Sequence, residues 1–232
     1  MPDALVVAGL VLGVAVVVMT VTAVVDVAWG IALALVALGC AVWSPSWRSW
    51  LLVVLVASWG LRLSWRVLVR GSSRREDPRH RVLGGVGAWL VSLPLQAAAL
   101  ASPTWTWLVW AGVLVWAVGV LFEAVGDAQL AAYRRDPNRD PVLDRGLWSW
   151  TRHPNYFGDA CVWWGIWLAG GLASGWLPGV LSLVSPVAMT VWLVWVTGAR
   201  PLERSMMQRP GYPEYAARTS MFVPRPPRRE AR

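Results

Sequence analysis

The chain of 232 residues contains no lysine, only two cysteines and few charges of any kind: 15% of its residues are charged and 56% are hydrophobic. Each shortage excludes something. So small a charged fraction is wrong for a soluble globular domain and right for a chain that crosses a bilayer several times. Cys40 and Cys161 sit in apolar runs with no Cys or His at ligand spacing, so neither a disulfide nor a metal site is expected. No strand pattern exists and no glycine-rich loop follows one, which removes a Rossmann domain. With lysine missing, all 21 cations are arginine, a choice that genome composition accounts for. The formal charge of +8 does not point to nucleic acid, because the arginines lie between apolar runs rather than on an exposed soluble face. Anionic lipid headgroups or a phosphorylated cofactor are the expected partners.

What is present is a series of long apolar runs. The first, Ala4–Val25, is long enough to span, and with only Asp3 ahead of it, too long for a cleaved signal peptide. Further spans are predicted over 27–43, 50–69, 82–101, 105–134 (polar-striped beyond Phe122), 155–172 and 176–197. Ser44-Pro45-Ser46, Ser102-Pro103-Thr104 and Ala173-Ser174-Gly175 read as turns between them. The expected fold class is all-α, a polytopic membrane protein with about seven transmembrane helices. A single membrane-embedded domain accounts for residues 1–232.

Arginine sets the orientation. Segments 70–82 and 134–152 hold five each and 199–232 holds eight, while Arg48 stands alone on the opposite side. Excess arginine marks the cytosolic face, so the N-terminus is expected outside and the C-terminus inside. The unusual polar residues then converge on a cytosolic end built from 24–28, 62–82, 123–159 and 199–224.

One stretch of that end stands out: Arg145–Asp159, RGLWSWTRHPNYFGD. Leu147, Trp148 and Trp150 suit the lipid–water boundary. Pro154 fits the first turn of a helix, where its missing N–H costs nothing. Asn155 and Asp159 are four apart and share a helical face. Lipid does not select for a cation, an imidazole, an amide and a carboxylate at one interface; a charged cofactor reaching the membrane from the cytosol would.

Other polar residues sit at similar depth. Glu123 and Asp127 share a face of the fifth predicted span, where carboxylates are costly unless they meet a cavity or a partner. They either bind cofactor or a catalytic proton, or pair with Arg62 or Arg66. Those two arginines, also four apart, suit a pyrophosphate or a 2′-phosphate equally well. Asp26 is either a helix N-cap or a substrate contact. His80 in the 70–81 loop reads as a solvated residue.

These residues resemble a bacterial membrane family related to the C-terminal domain of steroid 5α-reductases. The likeness covers nearly the whole chain. It includes VDVAWG at 25–30, WGLRLSWR at 59–66, REDPRHR at 75–81, FEAVGDAQL at 122–130, GLWSWTRHPNYFGDACVWWG at 146–165, SPVAMT at 185–190 and ERSMMQRPGYPEYAARTSMFVP at 203–224. The resemblance implies an integral plasma-membrane enzyme that uses NADPH to reduce a carbon–carbon double bond conjugated to a carbonyl. The substrate would be apolar, steroid-like or isoprenoid, and reach the site from the lipid. By position, Asn155, Asp159, Asp127 and Arg62 match cofactor-binding residues. Arg66, Glu123, Arg145, Arg152, His153 and Tyr156 join them as cofactor-binding candidates. Asp26 and Tyr133 are candidate proton donors. Asp26 and Trp59 are candidate substrate contacts, Trp59 standing where the steroid enzymes have a Tyr that binds the substrate carbonyl. The RHPxYxG block is also similar to that of isoprenylcysteine carboxyl methyltransferases, which implies S-adenosylmethionine as the competing cofactor. A lipid-binding protein without catalysis is the third reading.

Overall fold

The computed structural model of the protein describes residues 25–70, 104–196 and 198–226, without the side chains of residues 25–29, 32 and 66–70. The spans predicted over 4–25 and 82–101 and the charged loop 70–81 lie outside the described residues, apart from the end residues Val25 and Arg70. Among the described residues the protein is all-helical with no strand, and an isolated parallel bridge joins Thr151 to Ser220. The chain divides into two compact units, Met1–Val113 with Gly165–Ser185, and Leu114–Trp164 with Pro186–Arg232.

In the first unit, α1 (Val25–Trp43) and α2 (Trp47–Arg70) form a helical hairpin. The predicted turn at 44–46 closes it. Ser46 caps α2, its Oγ accepting from the Ser49 N–H at 3.1 Å. The two helices approach closely where Gly30 meets Gly60; a methyl on Gly60 would lie 2.5 Å from the Gly30 carbonyl oxygen. Small residues at such a crossing let backbones meet, the usual device where apolar side chains alone give helices no reason to associate. Arg48 is 1% exposed and donates to Ser174 Oγ at 2.8 Å. Ser174 in turn donates to the Gly170 carbonyl at 2.8 Å.

The helix α3 (Thr106–Arg135) and the stretch Trp176–Met206 are long and apolar enough to cross a membrane. On α3, Trp107, Trp110, Leu114, Val118, Leu121 and Val125 recur every three or four residues and are exposed, Trp107 by 68% and Leu114 by 66%. A core helix of a soluble protein would bury that stripe.

The helices predicted over 155–172 and 176–197 form, but not as uninterrupted α-helix. The first runs as α4 (Pro154–Ile166), then widens into a π-helical turn at Trp167–Gly171 and tightens into a 3₁₀ turn at Leu172–Ser174. Gly175, at φ 116°, ends it in a conformation that favours glycine. The second is α5 (Trp176–Ser182) and α6 (Val184–Val191), parted at Leu183. Pro186 explains the break: it has no N–H to give the Ser182 carbonyl. A second π-helical turn at Trp192–Val196 follows. Hydrophobic periodicity carries no signal for such local changes of winding, so the sequence reading missed them.

Two short helices complete the second unit, α7 (Ala199–Met206) and α8 (Tyr212–Arg218). Gly211, at φ 76°, makes the left-handed turn between them.

Candidate functional site

In the second unit, α3 and α4 meet along glycines. A methyl on Gly119 would lie 2.5 Å from the Gly158 carbonyl oxygen, and one on Gly158 would lie 2.5 Å from that of Gly119. The Glu123 side chain passes over Gly158, its Cγ 2.8 Å from that methyl position. One turn further along α3, Gly126 faces the Pro154 ring at 3.1 Å and the Asn155 amide nitrogen at 3.6 Å. Glu123 and Asp127 therefore bracket the contact with the first turn of α4. Glu123 is 2% exposed and Asp127 8%. Asn155, Tyr156 and Asp159 are half-buried on α4.

Pro154 occupies the first position of α4, as its chemistry predicts, and the Phe157 N–H returns to the His153 carbonyl at 3.0 Å. His153 itself is 4% exposed, and its ring stacks on Tyr156 with centroids 5.5 Å apart.

Glu203 of α7 organises the block from the other side, and the sequence reading did not single it out. One carboxylate oxygen, Oε1, accepts from Arg152 Nε at 2.9 Å and from the Tyr212 hydroxyl at 2.9 Å, and lies 3.0 Å from His153 Nε2. Arg152 Nη1 donates to the carbonyls of Ala216 at 2.6 Å and Thr219 at 3.0 Å. Its signals in the sequence were its place at the head of the ERSMMQRPGYPEY tail motif and as an acid among Arg200, Arg204 and Arg209; a solvated ion pair explains the second equally well.

The tail is stitched to the block at further points. The Arg152 N–H donates to Ser220 O at 2.9 Å, and the Arg225 N–H to Trp150 O at 2.9 Å. Thr151 Oγ1 donates to Phe222 O at 2.8 Å. The Tyr215 hydroxyl donates to Trp148 O at 2.5 Å, and Trp148 Nε1 to the Gly126 carbonyl of α3 at 3.0 Å. Burial, reinforced by the Glu203 carboxylate, pushes the Tyr212 hydroxyl up; burial, reinforced by Tyr212, pushes Tyr215 up. Both hydroxyls therefore stay protonated donors at neutral pH. Arg218 pairs with Asp144.

A surface pocket of about 370 Å³ opens beside this assembly, lined by Gln129, Tyr133, Asp136, Leu143 and Arg145 among others. Arg145 pairs loosely with Asp140 at 3.4 Å, with 66% of its side chain exposed. The Tyr133 hydroxyl donates to the Asp140 carbonyl.

Family comparison matches the same blocks. A family profile described as "Protein of unknown function (DUF1295)" matches residues 14–85 and 82–219. The chain belongs to the DUF1295 family. No curated protein and no solved structure matches it.

Of the candidate residues of this DUF1295 chain, the second unit holds Glu123, Asp127, Tyr133, Arg145, Arg152, His153, Asn155, Tyr156 and Asp159. Arg62 and Trp59 belong to the first unit, on α2. Trp59 is 1% exposed and Arg62 is half-buried. Asp26 lies within α1 and Arg66 within α2, their side chains outside the described part. Among the described residues no group of three or more His, Cys, Asp or Glu could hold a metal ion.

Proposed function

We propose that the protein is a polytopic membrane oxidoreductase of steroid 5α-reductase type, which uses NADPH to reduce a double bond conjugated to a carbonyl in an apolar substrate. One observation carries the reading: the RHPN turn, the first turn of α4 and the buried carboxylates of α3 meet at one end of an apolar helix assembly. Carboxylates at such a place are retained for a polar ligand or a partner. When bound, NADPH would supply the hydride. Asn155, Asp159 and Asp127 would take its hydroxyl and amide groups, and Arg145, at the mouth of the pocket with Tyr133, would meet phosphate. Arg62 and Arg66 remain proposed phosphate contacts, and Asp26 or Tyr133 the proposed proton donor. Bilayer lipid and an apolar small molecule are the proposed partners.

The exposed apolar stripe of α3 supports the membrane placement. In water it would be a large apolar patch, which lipid covers at no cost. The seven-span topology, with the N-terminus outside and the C-terminus in the cytosol of a bacterial plasma membrane, belongs to the same proposal. A reporter that works only in the cytosol should give signal when fused after Arg232 and none when fused ahead of Met1. The reverse result would remove both the topology and cytosolic access for the cofactor.

A second reading is favoured by the way Arg152 is used. Its Nε and Nη1 are committed to Glu203 and two carbonyls, so it is a poorer phosphate ligand than its sequence position suggests. Buried carboxylates with less uncommitted positive charge suit S-adenosylmethionine, which carries a sulfonium and an ammonium, better than they suit two phosphate groups. Titrating NADPH, NADH and S-adenosylmethionine against purified protein in detergent decides between them. NADPH should bind tightest, and Asp159→Ala should weaken it by about 1.5–3 kcal/mol, the cost of losing charge-assisted hydrogen bonds. Tighter S-adenosylmethionine binding with no response to NADPH would make the protein a methyltransferase. A folded protein that binds neither would be a lipid-binding protein without catalysis.

A further inference from the structure

We infer that Glu203 is a positioning residue that fixes the tautomer of His153, so that His153 Nδ1 becomes an acceptor for a hydrogen-bond donor of the bound cofactor. The inference rests on the proposed use of the RHPN block as a cofactor site, and adds which atom of it is presented and what holds it there.

Three features carry it. Glu203 Oε1 already accepts from the Arg152 guanidinium and the Tyr212 hydroxyl, both fixed donors. A carboxylate so placed is ionised and can only accept, so its third contact, to His153 Nε2 at 3.0 Å, requires the proton on Nε2. In the neutral imidazole that leaves the lone pair on Nδ1. Second, the ring cannot turn to exchange its nitrogens. It is 4% exposed, stacks on Tyr156 with an interplanar angle of 8°, and its residue's backbone is tied to Thr151 Oγ1 and to the first turn of α4. Third, the hydrogen bond of the ring to Glu203 runs through Nε2, which leaves Nδ1 as the ring atom that a ligand can meet.

An acceptor on a nine-tenths buried side chain calls for an N–H or O–H donor. A cofactor carboxamide, ribose hydroxyl or ammonium has the right chemistry; a phosphate oxygen or a carboxylate does not. His153 would then recognise the polar, uncharged or cationic part of the cofactor and not its phosphates. Arg152 and Tyr212 act one step further out, by holding the carboxylate that holds the imidazole.

The chain has only two histidines, so full-length protein labelled with ¹⁵N in the imidazole rings gives two sets of signals, and His80→Gln assigns them. At about pH 8.5, well above the ordinary imidazole range, His153 should show a protonated Nε2 and an unprotonated Nδ1. Glu203→Gln, whose amide can donate as well as accept, should give a mixture of both tautomers and weaken binding of NADPH, or of S-adenosylmethionine if that is the cofactor, roughly tenfold. Adding cofactor to wild-type protein should shift the Nδ1 resonance as it accepts a hydrogen bond. Should Glu203→Gln not fold, the wild-type spectrum still decides: a proton on Nδ1 overturns the inference. So does an unchanged tautomer in folded Glu203→Gln, or an unmoved Nδ1 signal in protein saturated with cofactor. If neither cofactor binds, the ligand role of Nδ1 falls with the proposed function, and the tautomer measurement still tests Glu203 separately.

Discussion

Glu203→Ala is expected to destabilise the protein by on the order of 3 kcal/mol and to free its C-terminal segment. Removing the carboxylate leaves Arg152, whose side chain is 11% exposed, without its counter-charge. The Tyr212 hydroxyl, on a residue 4% exposed, loses its acceptor, and so does His153 Nε2. Breaking a buried pair costs more than the pair is worth, because the surviving charge remains desolvated. The carbonyls of Ala216 and Thr219 still hold Arg152 Nη1, so the loss is partial rather than complete. The measurement is an unfolding midpoint in detergent, paired with limited proteolysis of the 199–226 segment. Cleavage in that segment should appear well below the temperature at which wild-type protein is cut there. Tyr212→Phe removes one donor and leaves the ion pair, so its effect should be about 1 kcal/mol. If Glu203→Ala melts and resists protease like wild type, the tail is not held through this carboxylate.

Gly158→Ala should cost about 2–3 kcal/mol, an effect opposite in sign to the usual gain of replacing glycine by alanine within a helix, about 1 kcal/mol. The new methyl would lie 2.5 Å from the Gly119 carbonyl oxygen and 2.8 Å from both the Glu123 amide nitrogen and its Cγ. Two of those atoms are helix backbone and cannot swing aside, so α3 and α4 must separate. The separation also displaces Glu123, and cofactor affinity should fall together with stability. Gly126→Ala is the internal control. There the nearest atom is Pro154 Cγ at 3.1 Å, a contact that a shift of a few tenths of an ångström relieves. Its cost should roughly cancel the gain in helix propensity and leave stability within about 0.5 kcal/mol of wild type. Equal unfolding midpoints for the two variants would mean that the α3–α4 contact is not set by backbone approach at Gly158.

How much of this was legible in the sequence depends on the kind of residue. Apolar run length and the turn chemistry of Ser44-Pro45-Ser46 and Gly175 place α1, α2 and the helices on either side of Gly175 within a few residues of where they lie, because both are local properties of the chain. Pro154 announced the start of α4, since a residue without an N–H is stable at few other helical positions. The pairing of carboxylates with the RHPN block was visible as a coincidence of depth. What it looked like geometrically was not: Gly119, Gly126 and Gly158 read as ordinary glycines of apolar helices until a second helix stands against them.

The use of each charge was decided only in three dimensions. Arg152 and His153 have the composition of a phosphate and cofactor site, and the sequence offers no reason to assign them otherwise. Folding brings Glu203 to them from 51 and 50 residues away and turns Arg152 inward. No periodicity encodes a contact of that separation, and a single acid in an arginine-rich tail reads as a surface pair. Run length therefore determined the all-helical class and marked α3 and the stretch from Trp176 as apolar enough to meet lipid, because burying or exposing a whole helix is an energy summed along the chain. Which nitrogen meets which oxygen depends on distances of a few tenths of an ångström between segments far apart in sequence, and that only the tertiary structure decided.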